Sequence, residues 1–502
     1  NADLQVQLEW LRKQVFGSRS ERSRGHDEGQ ASFLNAPVVH DSPPAATVET
    51  EQITYERKKP GGRKPVSRAL PTEEIVLRAS DEERVGPNGE RLISLGFEVT
   101  ERLHLVPEKL LRLIIKREKL GLPDTRELAH TVPPEPCLVP GGKATDAFLH
   151  EVVLRKFHQG LPLYRQLGLY NSLGADLADN YLVGCVHHVA AAYQPIATAI
   201  RAQVLRERWV HVDETPVRQL GAEDGARTAY FWAWVAGGQV SIHFGLTRSR
   251  SEVRDVLGIP YDPDDPRDGP NGDLDPATWE QGSHIGFLIC DGYTGYDHVF
   301  AAGSIIRVAC WAHVRRKFKA HEEVDANARR VVALINEAFR VDRQARKDAE
   351  KQQLDAAATA DLMRARRQER TVAIIEHIRT ELDALAPLYG PSSLMAKAIT
   401  YARNQWRALI VFLDHGCLPM DNNQAERVIR PIAVGRKNWL FVGSEDGGEW
   451  AATLYSIIES CRLQKIDPRR YLEHVTPILV RTPAGQLDAD ALTPRSLRST
   501  LR

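Results

Sequence analysis

The chain has 502 residues, 42% hydrophobic and 26% charged, which excludes a mostly disordered or fibrous polymer and exceeds what one compact core needs. Its 66 Lys and Arg balance 66 Asp and Glu, so a globally basic protein is excluded, but a nucleic-acid binder with a local basic patch is not. No apolar run reaches the roughly 20 residues of a membrane span, no charged-then-apolar leader is visible, and six cysteines without a CxxC pair suit a reducing cytoplasm.

Leu4, Leu8, Leu11 and Val15 are spaced four, three, four, so residues 1–17 read as a heptad-like helix. The end of a dimerising coiled coil and a plain amphipathic helix both fit. Residues 18–69 read as a polar linker that ends in a basic strip. Between Glu56 and Arg68 stand six basic residues, including Lys58, Lys59, Arg63 and Lys64, against one acid. An extended basic strip can follow a phosphate backbone and gain affinity by counterion release, although a solvated linker has the same composition. Residues 70–135 alternate apolar and polar positions in short runs, as a small β-rich module would. Residues 136–206 look helical, broken at Pro162 and Gly174, which suits a helix-turn-helix-like DNA-end-binding unit or any helical bundle.

A strand series begins near Arg208. Trp209–Thr215 reads as a strand ending in acids, with hairpin partners at 230–235 and 240–244, and a short helix follows near Ser251–Leu257. Residues 261–280 hold seven acids, one Arg and four prolines, as an exposed loop would. Ile285–Asp291 is a nearly all-apolar strand suited to a buried central position, and Ile305–Cys310 makes a fifth. From Val314 to Ala386 there is no Gly or Pro, so at least two long helices are expected. The resulting division is a catalytic core at 207–313, a helical insertion at 314–393, a second core part at 394–465 and a C-terminal tail at 466–502.

Asp213 and Asp291 each end a strand, and Glu426 lies one turn into a helix that Asp421 can cap. Three converging carboxylates cannot all stay ionised without a cation, and two Mg2+ (or Mn2+) ions with oxygen ligands are the simplest remedy. Such a pair activates a water or a 3′-hydroxyl and stabilises the leaving oxygen of a phosphodiester. The order strand acid, hairpin, strand acid, strand, helical insert, helix acid is that of a ribonuclease-H-like (retroviral-integrase-like) domain interrupted by an α-helical insertion, in a multidomain α/β chain. Around Glu426, residues 397–440 carry seven Lys or Arg against three acids, with Trp406 and Trp439 among them. Arg427, Arg430, Arg436, Lys437 and Trp439 are the candidate phosphate-gripping and base-stacking residues, while a solvated basic helix with buried Trp is the plain alternative. Cys310 and His313, spaced i, i+3, lack a second ligand pair nearby, so packing is the expected role.

Val212–Pro216, Cys290–Tyr296, Cys310–Phe318 and Asp421–Pro431 with Gly435–Phe441 together resemble bacterial insertion-sequence transposases of the IS66 family. Leu161–Gln166 and Phe16–Glu21 match as well, so the resemblance spans nearly the whole chain. It implies that Asp213, Asp291 and Glu426 are the DDE triad and metal ligands of a cut-and-join recombinase. It also implies a leucine-zipper-like N-terminus, a DNA-end-binding region and accessory proteins of the same element. Family members commonly carry a cysteine-paired zinc module where residues 82–125 lie, but this chain has no cysteine before Cys137, so no zinc is expected. The expected partners are double-stranded DNA, as transposon ends and target, and further copies in a homodimer or larger synaptic assembly. No membrane partner is expected, and the place of action is the cytoplasm, at the nucleoid. A nuclease of the same fold without joining activity and a non-catalytic repressor of the element are the competing readings.

Overall fold

Long β-branched and aromatic runs build one mixed sheet, and Ala- and Leu-rich segments build the helices that cover it. The structure, a computed structural model, describes residues 110–115, 119–121, 128–131, 134–221, 225–258, 286–301 and 305–501. The heptad-like helix, the linker with Lys58, Lys59, Arg63 and Lys64, most of 70–135 and the acidic loop 261–280 lie outside them.

Strands β1 (Lys119–Gly121) and β2 (Leu128–Thr131) pair antiparallel. Helix α1 (Asp146–Val153) begins where the Thr145 hydroxyl accepts the Phe148 N–H. Helices α2 (Leu163–Ser172) and α3 (Tyr181–Leu205) complete the 136–206 stretch. These helices share a core with the main sheet. Leu149, Val152, Val186, Tyr193 and Ile200 are buried in one hydrophobic cluster with Val212, Phe231 and Val240 of that sheet.

The sheet comprises β3 (Trp209–Leu220), β4 (Ala226–Ala236), β5 (Gln239–Gly245), β6 (Phe287–Cys290), β7 (Ile306–Ala309) and β8 (Phe441–Val442). The order is β5-β4-β3-β6-β7, with β8 beside the far end of β3. The first three strands run antiparallel, whereas β6, β7 and β8 run parallel to their neighbours. Gly237 and Gly238, at φ 56° and 72°, supply the two positive-φ positions of the tight β4–β5 hairpin. After β5, helix α4 (Arg250–Leu257) ends at Gly258, and α5 (Asp297–Ala301) lies between β6 and β7.

β6 separates two cores because its side chains alternate. Leu288 and Cys290 join the first cluster, while Phe287 and Ile289 join a second. The second is built by α6 (Trp311–Lys319), α7 (Ala326–Lys351), α9 (Val372–Leu385), α10 (Leu394–Asn404) and α11 (Trp406–Ile410), while α8 (Ala356–Arg366) packs along α7 without entering it. Its apolar set continues through Met395, Ile399, Leu409, Leu418 and Met420, so the helical insertion runs to about residue 420 rather than 393. The fully buried Arg367 ties it together, donating to Asp342 Oδ1 at 2.8 Å and to the carbonyls of Phe412, His415 and Leu418 at 2.8–3.0 Å.

The chain then re-enters the first core with α12 (Asn423–Trp439) and α13 (Glu445–Gln464). Ser460 and Ser456 on α13 accept the outward N–H groups of Val240 and Ile242, closing the edge of β5. Residues 466–502 are not a loose tail. Helix α14 (Pro468–Arg481) buries Tyr471, Leu472 and Val475, Thr476 bonds Tyr193 and His150 at 2.9 and 2.8 Å, and Leu501 of α15 (Arg498–Leu501) is also buried.

Candidate active site

β3 does not end at its acids. It pairs with β4 as far as Leu220, so Asp213 lies within the strand. The parallel β3–β6 register matches His211 with Ile289, and two residues further on Asp213 comes level with Asp291, just past the end of β6. Asp291 Oδ1 accepts the Tyr293 N–H at 2.9 Å, and Asp213 Oδ1 accepts the Glu214 N–H at 3.1 Å.

His211, Asp213 and Thr215 share one face of β3 by the two-residue alternation of a strand. Helix α12 crosses that face. At its start the buried Asn422 donates from Nδ2 to the Val212 carbonyl at 2.8 Å, and its Oδ1 pairs with His211 Nδ1 at 2.8 Å. Its backbone N–H reaches Cys310 Sγ at 3.1 Å. Asp421 Oδ1 accepts the Asn423 N–H at 3.0 Å, but the residue in the cap position is Asn422, so Asp421 does not cap the helix as expected. Burial holds His211 well below the usual imidazole range, at about 4, so at neutral pH its Nδ1–H donates and Asn422 Oδ1 accepts. Near the far end of α12, Arg436 donates to Thr215 Oγ1 at 2.7 Å and to the Pro216 carbonyl.

Glu426, one turn into α12, projects toward α6. Its Oε2 accepts from Arg316 at 2.7 Å, and its Oε1 lies 3.6 Å from His313 Nδ1. Burial lowers the His313 imidazole below its usual range despite the pull of Glu426. Asp213 shows how crowded the acids are. Burial first, then the charges of Glu214, Asp291 and Glu426, push its carboxyl up to about 8.

Glu214 belongs to the opposite face. Tyr296 donates to its Oε2 at 2.8 Å and Arg248 to its Oε1 at 2.7 Å, and the Arg248 guanidinium sits 4.0 Å from the Tyr293 ring centroid.

The expected DNA-contacting residues fall into two groups. Arg427, Arg430 and Lys437 are exposed. Arg436 is engaged by β3, and Trp439 packs half-buried against the first core, with the Lys156 ammonium 5.7 Å from its ring. Sequence alone gave no functional role to His211, His313, Arg316 or Asn422. Their signals were present: His211 is two residues before Asp213 on its strand face, and Arg316 is one helical turn after His313.

Among the described residues, no helix is long and apolar enough to cross a membrane. A family model described as "Transposase IS66 family" matches residues 141–450, and one described as "Transposase C of IS166 homeodomain" matches residues 3–75. Two relatives from Sinorhizobium fredii (strain NBRC 101917 / NGR234), described as uncharacterized proteins y4hP and y4qI, are each 28% identical. The matches cover 96% and 97% of this chain and 87% and 88% of theirs. A third from the same strain, uncharacterized protein y4jD, is 26% identical over 97% of this chain and 93% of its own.

Proposed function

The chain belongs to the IS66 family of transposases, and on that premise we propose that it cuts the 3′ ends of an insertion sequence and joins them to target DNA, with Asp213, Asp291 and Glu426 as its acidic triad. The single observation that carries this reading is the electrostatics of Asp213. A carboxyl raised to about 8 by burial and by Glu214, Asp291 and Glu426 marks a crowded acid cluster in which Arg248 and Arg316 pair with the two glutamates, while among the described residues no salt bridge pairs Asp213 or Asp291. Carboxylate oxygens from two adjacent strands and a crossing helix suit Mg2+ or Mn2+. Asp213 and Asp291 would hold such ions jointly, and Glu426 would complete the set. When bound, a pair of such ions supplies Lewis acidity to the attacking and leaving oxygens of a phosphodiester. The strand order β5-β4-β3-β6-β7 and the helical segment between Asp291 and Glu426 support a ribonuclease-H-like core carrying an insertion.

The remaining residues position and neutralise. Asn422 fixes the start of α12 to β3, which sets the distance from Glu426 to Asp213. Arg316, exposed and paired with Glu426, can exchange that carboxylate for a DNA phosphate. Arg427, Arg430 and Lys437 offer further phosphate contacts, whereas Arg436 and Trp439 serve packing. The match at 3–75 supports DNA-end binding by the N-terminal region, and bringing two ends together calls for a dimer or larger assembly.

The test is strand transfer. A labelled duplex carrying the element's terminal repeat is incubated with purified protein, Mg2+ and a target plasmid. Wild type is expected to yield joined product and Glu426→Gln none. Joined product from Glu426→Gln refutes the triad assignment, and nicks without joining by wild type would leave only a nuclease.

A further inference from the structure

Two side chains crowd Glu426 that the cutting reaction does not use. Cys310 follows β7, and His313 stands at the first turn of α6. Cys310 Sγ, a ring nitrogen of His313 and a carboxylate oxygen of Glu426 all lie within 4.8 Å of one another. His313 Nδ1 and Glu426 Oε1, 3.6 Å apart, are both buried atoms without a hydrogen-bond partner among the described residues. Buried polar atoms are seldom left so, and two that face each other beside a thiol call for an explanation.

Bond lengths of about 2.3 Å to sulfur and about 2.0–2.2 Å to nitrogen and oxygen put tetrahedral zinc ligands roughly 3.3–3.7 Å apart. The His313–Glu426 separation already falls in that range, and a small approach of the thiol completes the set. Sulfur, imidazole and one carboxylate oxygen form a soft, mixed donor set, unlike the all-oxygen set that Mg2+ prefers. The surroundings orient the donors. The Asn422 N–H points at Cys310 Sγ at 3.1 Å, and Arg316 occupies the other Glu426 oxygen, leaving Oε1 to act as a single-oxygen ligand.

We propose that Cys310, His313 and Glu426 bind a thiophilic divalent cation of the zinc class, and that its binding inhibits the enzyme by drawing Glu426 away from Asp213 and Asp291. On binding, the Cys310 thiol gives its proton to solvent, and sulfur, His313 Nδ1 and Glu426 Oε1 each form one bond to the ion. Water fills the fourth position, and no oxidation or reduction takes place. The inhibitory half rests on the transposase reading, and the binding half stands without it.

Cobalt(II) reports such a site because a thiolate ligand gives it a near-ultraviolet charge-transfer band. The full chain, kept reduced, is titrated with Co2+ and then with Zn2+. The expected result is one band per chain that zinc abolishes. The band should vanish in Cys310→Ala, weaken roughly tenfold or more in apparent affinity in His313→Ala and Glu426→Gln, and persist in Asp213→Asn. Melting curves without metal check that each variant is folded. No band in folded wild type, or an undiminished band in Cys310→Ala, overturns the site. In Mg2+-dependent cutting, Cys310→Ala, compared with its own zinc-free rate, should need roughly tenfold more zinc for half-inhibition. Equal zinc sensitivity overturns the inhibitory half. A cobalt band in a protein that cuts no DNA removes the transposase reading and that half with it, while the cation site stands.

Discussion

Asn422 Nδ2 donates to the carbonyl of Val212 at 2.8 Å, so the residue four before Glu426 is bonded to the residue one before Asp213. The same side chain holds His211, and its backbone holds Cys310. One fully buried amide therefore joins β3, the loop after β7 and the start of α12. Two acids more than two hundred residues apart in the chain acquire a fixed relation through it.

Asn422→Ala leaves the Val212 carbonyl and His211 Nδ1 buried without this partner. It should cost about 2–4 kcal/mol of stability in urea unfolding, as expected for a broken buried network. At a temperature where the variant is folded, DNA cutting should fall by more than DNA binding, because the helix start loses its anchor and not its cations. Cutting at the wild-type rate would show that Asn422 does not position Glu426.

The raised Asp213 carboxyl predicts a pH dependence with a definite sign. The unfolded chain releases this proton near 3.8, whereas the folded, metal-free chain keeps it to about 8. The stability contributed by the protonated form is fully present below the lower value and is lost as pH rises toward the upper one. Asp213→Asn stays neutral in both states. Without metal its melting temperature should therefore gain on wild type as pH rises from about 4 to about 8. Binding of Mg2+ displaces the proton, so the half-saturating Mg2+ concentration should fall about tenfold per pH unit below the upper value. A melting difference independent of pH would contradict the assignment.

Glu214 offers a control one residue away. It faces Tyr296 and Arg248, yet its charge is the largest electrostatic contribution holding the Asp213 proton. Glu214→Gln should keep cutting activity and shift its pH profile toward lower pH, because Asp213 then ionises more easily. Loss of all cutting in a folded Glu214→Gln protein would mean that Glu214 itself is a ligand.

In the insertion, Arg367→Ala leaves the buried Asp342 carboxylate with Arg346 alone and strands three backbone carbonyls in the second core. About 3–5 kcal/mol of destabilisation is expected, seen first as faster proteolysis between residues 326 and 420. Arg367→Ala with Asp342→Ala should recover part of it, since the one charge left without its partner, Arg346, is exposed to water. Equal loss in the single and double variants would deny the pair its role.

Residues 207–313 could be read in outline because strand formation there obeys local pattern: alternating or continuous apolar runs bounded by turn residues. What the pattern did not contain was pairing. A strand ending at Thr215 is what the local pattern of Trp209–Thr215 suggests, but β4 and β8 pair with Val217–Leu220 and carry the strand past Asp213. The insertion runs past residue 393 because Met395, Ile399 and Leu409 pack into the second core, an assignment that the apolar spacing of 394–410 alone does not make. Tyr471 and Leu472 looked like tail residues because their apolar partners, such as Tyr193, lie far upstream. The acids were recognisable from their order along the chain. The contacts around Glu426 were not, since Arg316 and His313 reach it from more than one hundred residues away.

The most direct test of the central claim is metal-dependent cutting of a labelled duplex bearing the terminal repeat, with wild type beside Asp213→Asn, Asp291→Asn and Glu426→Gln, each shown to bind the duplex. Three acids sharing one divalent-metal site predict 3′-end nicks from wild type in Mg2+ or Mn2+, and none from any of the three variants. Undiminished nicking by any one of them would contradict the account.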